Sequence, residues 1–157
     1  MNTLHFSPAR MRPALLIPAA FLALLAGGSA RALGEVNAPD GVGIRGHDPV
    51  SYFVDNKPVK GSKAHELTHG KVVYRFATAE NRAAFAANPE KYLPQYGGYC
   101  AYGLSRGYKA PIDPAAFTVR SGKLYLNYDL SVQQTWRADI NGYIGKADRN
   151  WPTVRKQ

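Results

Sequence analysis

Cysteine is nearly absent: Cys100 is the only one in 157 residues. A single cysteine excludes an internal disulfide and any four-thiolate zinc site. Also missing are Gly-x-Ser-x-Gly, a phosphate-binding glycine loop, a dinucleotide fingerprint, Cys-x-x-Cys and His-Glu-x-x-His. No enzyme pattern therefore emerges. Acidic side chains are few beside basic ones, 11 against 20. The excess forms no run of like charge and is not interleaved with aromatics, so nucleic acid is not an expected partner. It fits a solvated surface, or one that meets anionic lipid or an acidic partner. No internal repeat, low-complexity segment or second domain boundary is evident.

No apolar run reaches the roughly 20 residues that span a bilayer. The longest stretch, Ala14 to Ala26, is broken by Pro18 and preceded by Arg10 and Arg12. Gly27-Gly28-Ser29 and then Ala30-Arg31-Ala32 follow, a small-x-small cleavage pattern. Residues 1–32 read as an export signal cut near Ala32, which leaves a periplasmic or secreted product with no membrane span; an uncleaved anchor is the alternative. Residues 33–157 read as one domain. Without Arg10, Arg12 and Arg31 it carries 17 basic and 11 acidic side chains.

The domain opens irregularly through Gly34, Pro39, Gly41 and Gly43. Asp48-Pro49 is a helix-start pattern, with a short turn carrying Val50 and Phe53 inward. Ala64 to His69 and Lys71 to Phe76 read as strands joined at Gly70; Val72, Tyr74 and Phe76 keep the period of a half-buried strand. His65 and His69, four apart on a strand, lie about 13 Å from each other and do not share one ion. Thr78 caps a helix over Ala79 to Ala87, packed through Ala79, Ala83, Phe85 and Ala86, and Asn88-Pro89 starts another short turn. Ile112-Asp113-Pro114 leads into a short helical piece. Phe117 to Arg120 and Lys123 to Tyr128 make a hairpin across Ser121-Gly122. Asp129 or Ser131 caps a helix with Val132, Trp136 and Ile140 in one stripe, and a last helical segment ends near Trp151-Pro152. Asp48, Asp113 and Asp129 are explained as caps or turn formers. The fold class is α+β, antiparallel strands and hairpins with short helices packed on them.

The stretch Tyr96-Gly97-Gly98-Tyr99-Cys100-Ala101-Tyr102-Gly103 stands out. A Gly-Gly pair permits a sharp turn and close backbone approach. If a short helix runs from Tyr99 to Arg106, Cys100 sits in its first turn, where amides and the helix dipole favour a thiolate. The alternative is a small buried hydrophobe among tyrosines. His47 is the histidine nominated as a base or second ligand.

Tyr74-Arg75-Phe76-Ala77-Thr78-Ala79-Glu80-Asn81-Arg82-Ala83-Ala84-Phe85 and Asn88-Pro89-Glu90-Lys91-Tyr92 resemble the YHS domain. Asp48-Pro49-Val50 is similar to its opening triplet. Pro94 to Tyr102 and Lys146 to Pro152 resemble a narrower group of exported YHS-domain proteins that admits a selenoprotein form. The resemblance spans roughly residues 43–153. Metal-handling YHS and TRASH-type domains carry cysteines at the positions that here hold Ser51, Ala77 and Asn81. The resemblance thus implies the fold but not that thiolate set, and it makes Cys100 the one position able to match a selenocysteine. Three expectations follow. The first is a metal-handling module for a copper-type ion, with Cys100 and His47 as metal ligands. The second is a thiol redox protein that acts through Cys100. The third is a non-catalytic module that binds a protein partner through Tyr96, Tyr99, Tyr102 and Tyr108.

Overall fold

The computed structural model describes residues 34–157. The export-signal reading of residues 1–32 lies outside the described residues. Within them the architecture is the expected α+β: two antiparallel two-stranded sheets with short helices against them. Among the described residues no helix is long and apolar enough to cross a membrane.

The first half begins with a tight left-handed turn at Gly43–Gly46, where Ile44, Arg45 and Gly46 have φ of 48°, 50° and 76°. There follow α1 (Ser51–Val54), β1 (Ser62–His69), β2 (Val72–Phe76), α2 (Ala79–Ala87) and α3 (Pro89–Tyr92). Local chemistry accounts for the boundaries. Gly70, at φ 62°, supplies the positive φ of the β1–β2 turn. Val72, Tyr74 and Phe76 bury one face of β2. The Thr78 hydroxyl accepts from the Asn81 N–H to start α2, and Pro89 opens α3.

The second half repeats this series 51 or 52 residues further on, which overturns the expectation of no internal repeat. Gln95–Gly98 is another left-handed turn, with Tyr96, Gly97 and Gly98 at φ 57°, 61° and 79°. Then come α4 (Ala101–Ser105), β3 (Asp113–Arg120), β4 (Lys123–Asn127), α5 (Leu130–Arg137) and α6 (Ile140–Val154). The correspondence reaches single bonds. The Asp48 N–H donates to Val59 O at 2.9 Å, and the Cys100 N–H to Ala110 O at 3.1 Å. Each hairpin carries the same irregularity, Ser62 and Glu66 pairing with Phe76 and Arg75, Asp113 and Phe117 with Asn127 and Leu126. Asp129 caps α5 where Thr78 caps α2. Tyr74 stacks on Phe85 at 5.1 Å and 34°, and Tyr125 on Trp136 at 5.4 Å and 38°. Each such pair adds about 0.5–1.5 kcal/mol beyond the area its rings bury.

Several local expectations are corrected. Asp113-Pro114 opens strand β3 rather than a helical piece. Pro114 lies in the irregular stretch between the Asp113 and Phe117 pairings, where its missing N–H breaks no ladder bond. α5 ends at Arg137, and Ile140 belongs to α6, which Asp139 caps through the Gly142 N–H at 3.0 Å. Ala79, Ala83 and Ala86 are exposed, and α2 packs through Phe85 and Ala84. Two apolar clusters result. One gathers Val50, Tyr52, Phe76, Phe85, Leu124 and Leu126 with Cys100; the other gathers Leu104, Tyr125, Trp136, Ala147 and Val154.

Candidate functional site

The left-handed turns place one acceptor side chain at the head of each half. In the first it is Asp48, wholly buried. Its Oδ1 accepts from the Val50 N–H at 2.8 Å and the Ser51 N–H at 3.4 Å. Its Oδ2 accepts from the Ala77 N–H at 2.9 Å and the Asn81 side-chain amide at 2.7 Å. The Ser51 hydroxyl donates to Asp48 O at 2.8 Å. One carboxylate thereby ties the start of α1 to the β2–α2 turn. Ser51, Ala77 and Asn81, far apart in sequence, all meet at it.

Cys100 occupies the corresponding place in the second half. It is the N-cap of α4 and not a first-turn residue, and only 1% of it is exposed. Its Sγ accepts from the Gly103 N–H at 3.4 Å, as Asp48 accepts from Ser51. It also lies against the Tyr128 N–H, which matches the bond from Ala77 to Asp48. Its S–H points to Asn127 Oδ1 at 3.7 Å, and that oxygen also accepts from the Tyr102 N–H at 3.2 Å. Burial outweighs these amides and pushes the thiol pKa up. The expected lowering of the thiol pKa is therefore reversed: water is excluded from the sulfur more effectively than the amides replace it.

His47 has different surroundings. Its Nδ1 is 3.2 Å from Ile44 O. Burial first, and then the Lys60 ammonium, hold its pKa below the ordinary histidine value. The groups that act on it are Ile44, Arg45, Lys60 and Asp113; those that act on Cys100 are Gly103, Tyr128, Tyr102, Asn127 and Asp129. The two share none. Among the described residues no three His, Cys, Asp or Glu side chains come together as a metal site. His65 and His69 lie on β1, and His69 faces Glu90 at 4.0 Å. The expected tyrosine surface is also corrected. Tyr96 and Tyr99 are buried, with hydroxyls donating to Asp148 at 2.8 Å and Gly34 O at 2.7 Å. Tyr108 alone of the four is exposed.

The glycine pair does make a close approach. A Cβ on Gly97 would lie 2.1 Å from Glu35 O. Asn37 binds the same turn, its N–H donating to Gly97 O at 2.8 Å and its amide to Gly98 O at 3.0 Å. Residues 34–41 thus form a strap along the second turn. Between the strap, the β1–β2 turn and α3 opens a cleft of about 850 Å³. Val36, Ala38, Val72, Tyr74 and Leu93 supply apolar walls, and His69, Lys71 and Glu90 stand around them. Burial, with Glu90 adding, pushes the Tyr74 pKa up to about 12.

The chain matches no protein-family model, no curated protein and no solved structure. Two features of the site were missed in sequence. Asn127, buried beside Cys100, leaves its Nδ2 without a hydrogen-bond partner among the described residues; alternation along Lys123 to Tyr128 put it among the polar or exposed positions and Tyr128 inward, whereas Asn127 is buried and Tyr128 exposed. The cleft had no signal, because the strap, the hairpin turn and the second left-handed turn are remote in sequence.

Proposed function

We propose that the chain is a YHS-like, non-catalytic binding module that takes a small ligand in the cleft beside the strap. The cleft carries this reading: its volume lies in the range of small-molecule sites, and apolar walls with a few charged groups are the usual lining. The convergence of Ser51, Ala77 and Asn81 on Asp48 supports the YHS-like frame, since the resemblance assigns one ligand set to those three positions. With a hydroxyl, a methyl and an amide there, that frame holds no thiolate, and the burial of Cys100 supports a role in packing. Titration of the full chain with 1-anilinonaphthalene-8-sulfonate tests the reading. One probe should bind per chain, Ala38→Trp should weaken it more than tenfold, and Cys100→Ser should leave it unchanged. Binding indifferent to Ala38→Trp, or none, overturns it.

The second reading keeps a chemical role for Cys100, as a thiol redox centre or as a soft-metal ligand, without His47, whose surroundings are separate. The buried Asn127 amide favours it, since its Oδ1 lies 3.7 Å from the sulfur and its Nδ2 has no partner among the described residues. Copper(I) titration of wild type against Cys100→Ser separates the two readings: loss of a stoichiometric site in the variant supports the second.

A further inference from the structure

We infer that the second half docks on an anionic lipid surface through the outer face of α6 and the adjoining loop of Arg106 to Lys109. Charge is divided unevenly along the described chain. Residues 34–94 carry 8 basic and 7 acidic side chains, and residues 95–157 carry 9 and 4. All four acids of the second half are engaged locally. Asp113 accepts from the Ala115 N–H, Asp129 and Asp139 cap α5 and α6, and Asp148 accepts from the Tyr96 hydroxyl. Lys146, Arg149 and Lys156 are exposed, and none of them joins an ion pair among the described residues.

The folding of α6 puts these cations together. Ala147 and Val154 are buried, Tyr143, Ile144 and Trp151 pack on the same cluster, and the Asn150 amide donates to Leu104 O at 2.9 Å. Helical spacing then turns 146, 149 and 153 outward, with Lys156 just past the helix end. Asn150 also reaches Ser105 O at 3.3 Å, and Lys109 Nζ donates to Arg155 O at 3.2 Å, so the loop after α4 lies along the end of α6. That loop contributes exposed Arg106 and Tyr108, the tyrosine 50% accessible. Long cationic stems around an exposed phenol suit a phospholipid headgroup layer: charged tips meet phosphates while stems and ring lie at the interface.

The test is flotation of the full chain with phosphatidylcholine vesicles, with and without 30 mol% phosphatidylglycerol. Arg10, Arg12, Arg31 and the apolar run of residues 14–26 are common to every variant, so differences between variants report the patch. Each cation near such a surface contributes roughly fivefold. Lys146→Glu/Arg149→Glu/Lys156→Glu should therefore lower the preference for anionic vesicles at least ~100-fold. The control Lys57→Glu/Lys63→Glu/Lys91→Glu, with the same net charge, should keep most of it. Circular dichroism confirms that both triples fold. Equal losses in the two triples would show that net charge and not this patch acts, and would overturn the proposal. So would a wild type with no anionic preference, or one that binds soluble polyglutamate but not the vesicles.

Discussion

The two halves have one backbone plan and different chemistry at its head. In the first, a left-handed turn of Ile44, Arg45 and Gly46 delivers the Asp48 carboxylate, which gathers four donors. In the second, Tyr96, Gly97 and Gly98 deliver the Cys100 sulfur, which accepts from Gly103 and lies by the Tyr128 amide. A carboxylate has more acceptor sites than a thiol and makes stronger bonds. The halves therefore depend on their head groups to different degrees. The geometry therefore belongs to the backbone turn, while the side chain only has to accept.

The largest break in that comparison should come from Asp48→Ala. It strands the Val50, Ser51 and Ala77 N–H groups and the Asn81 amide, at a cost of about 3 kcal/mol or more. Cys100→Ala removes one weak acceptor and a small volume and should cost about 1–2 kcal/mol. Urea unfolding of the two variants gives both numbers. Equal losses would mean that the two head groups are not doing the same job at different strengths.

The turns themselves provide the next contrast. Gly97 sits where the first half has Arg45, yet a methyl at Gly97 would strike Glu35 O. Gly97→Ala should cost about 2–4 kcal/mol and free the strap, which protease sensitivity near residues 34–38 would report. Arg45→Gly, which relieves a non-glycine residue at φ 50°, should stabilise by about 0.5 kcal/mol after the entropy of the added glycine. If Gly97→Ala is silent, the strap is not held as described.

A smaller effect is expected from alkaline titration. Burial raises the pKa of Tyr74 to about 12, and raises those of Tyr125 and Cys100. These acids have folded pKa values above their unfolded ones. Their contribution is full below the unfolded values, about 8.5 for cysteine and 10 for tyrosine, and is lost as pH rises through the folded ones. Stability should fall from about pH 9 upward and more steeply towards 12. Tyr74→Phe should flatten the upper part of that fall more than Tyr125→Phe. A profile flat to pH 12 would contradict the burial.

Much of the first half was legible in sequence. Alternation in β2, the Thr78 cap and Asn88-Pro89 are local signals, and α2 runs over Ala79–Ala87 as they predict. The repeat was not legible. Of the corresponding positions named above, only Gly46 with Gly98 and Tyr74 with Tyr125 keep the same residue. A left-handed turn written as Ile-Arg-Gly in one place and Tyr-Gly-Gly in the other leaves no shared pattern. The sequence left the state of Cys100 open between a first-turn thiolate and a small buried residue, and the structure shows the buried one. Its neighbours Gly98 and Tyr99 suggested an open helix start, but sheet β3–β4 and Asn127 close over the sulfur from across the fold. The candidate site depends on tertiary approach of this kind, and spacing along the chain does not report it.

Cys100 is the sulfur counterpart of Asp48, a buried acceptor that holds its turn. Iodoacetamide labelling of the native and urea-unfolded protein, followed by intact mass from pH 6 to pH 9, tests it most directly. Native labelling at pH 7.5 should be at least ~100-fold slower than unfolded labelling, because the sulfur is enclosed and its thiolate disfavoured. Native labelling as fast as or faster than unfolded labelling, with a midpoint below about 8.5, would contradict it and make Cys100 a reactive thiol.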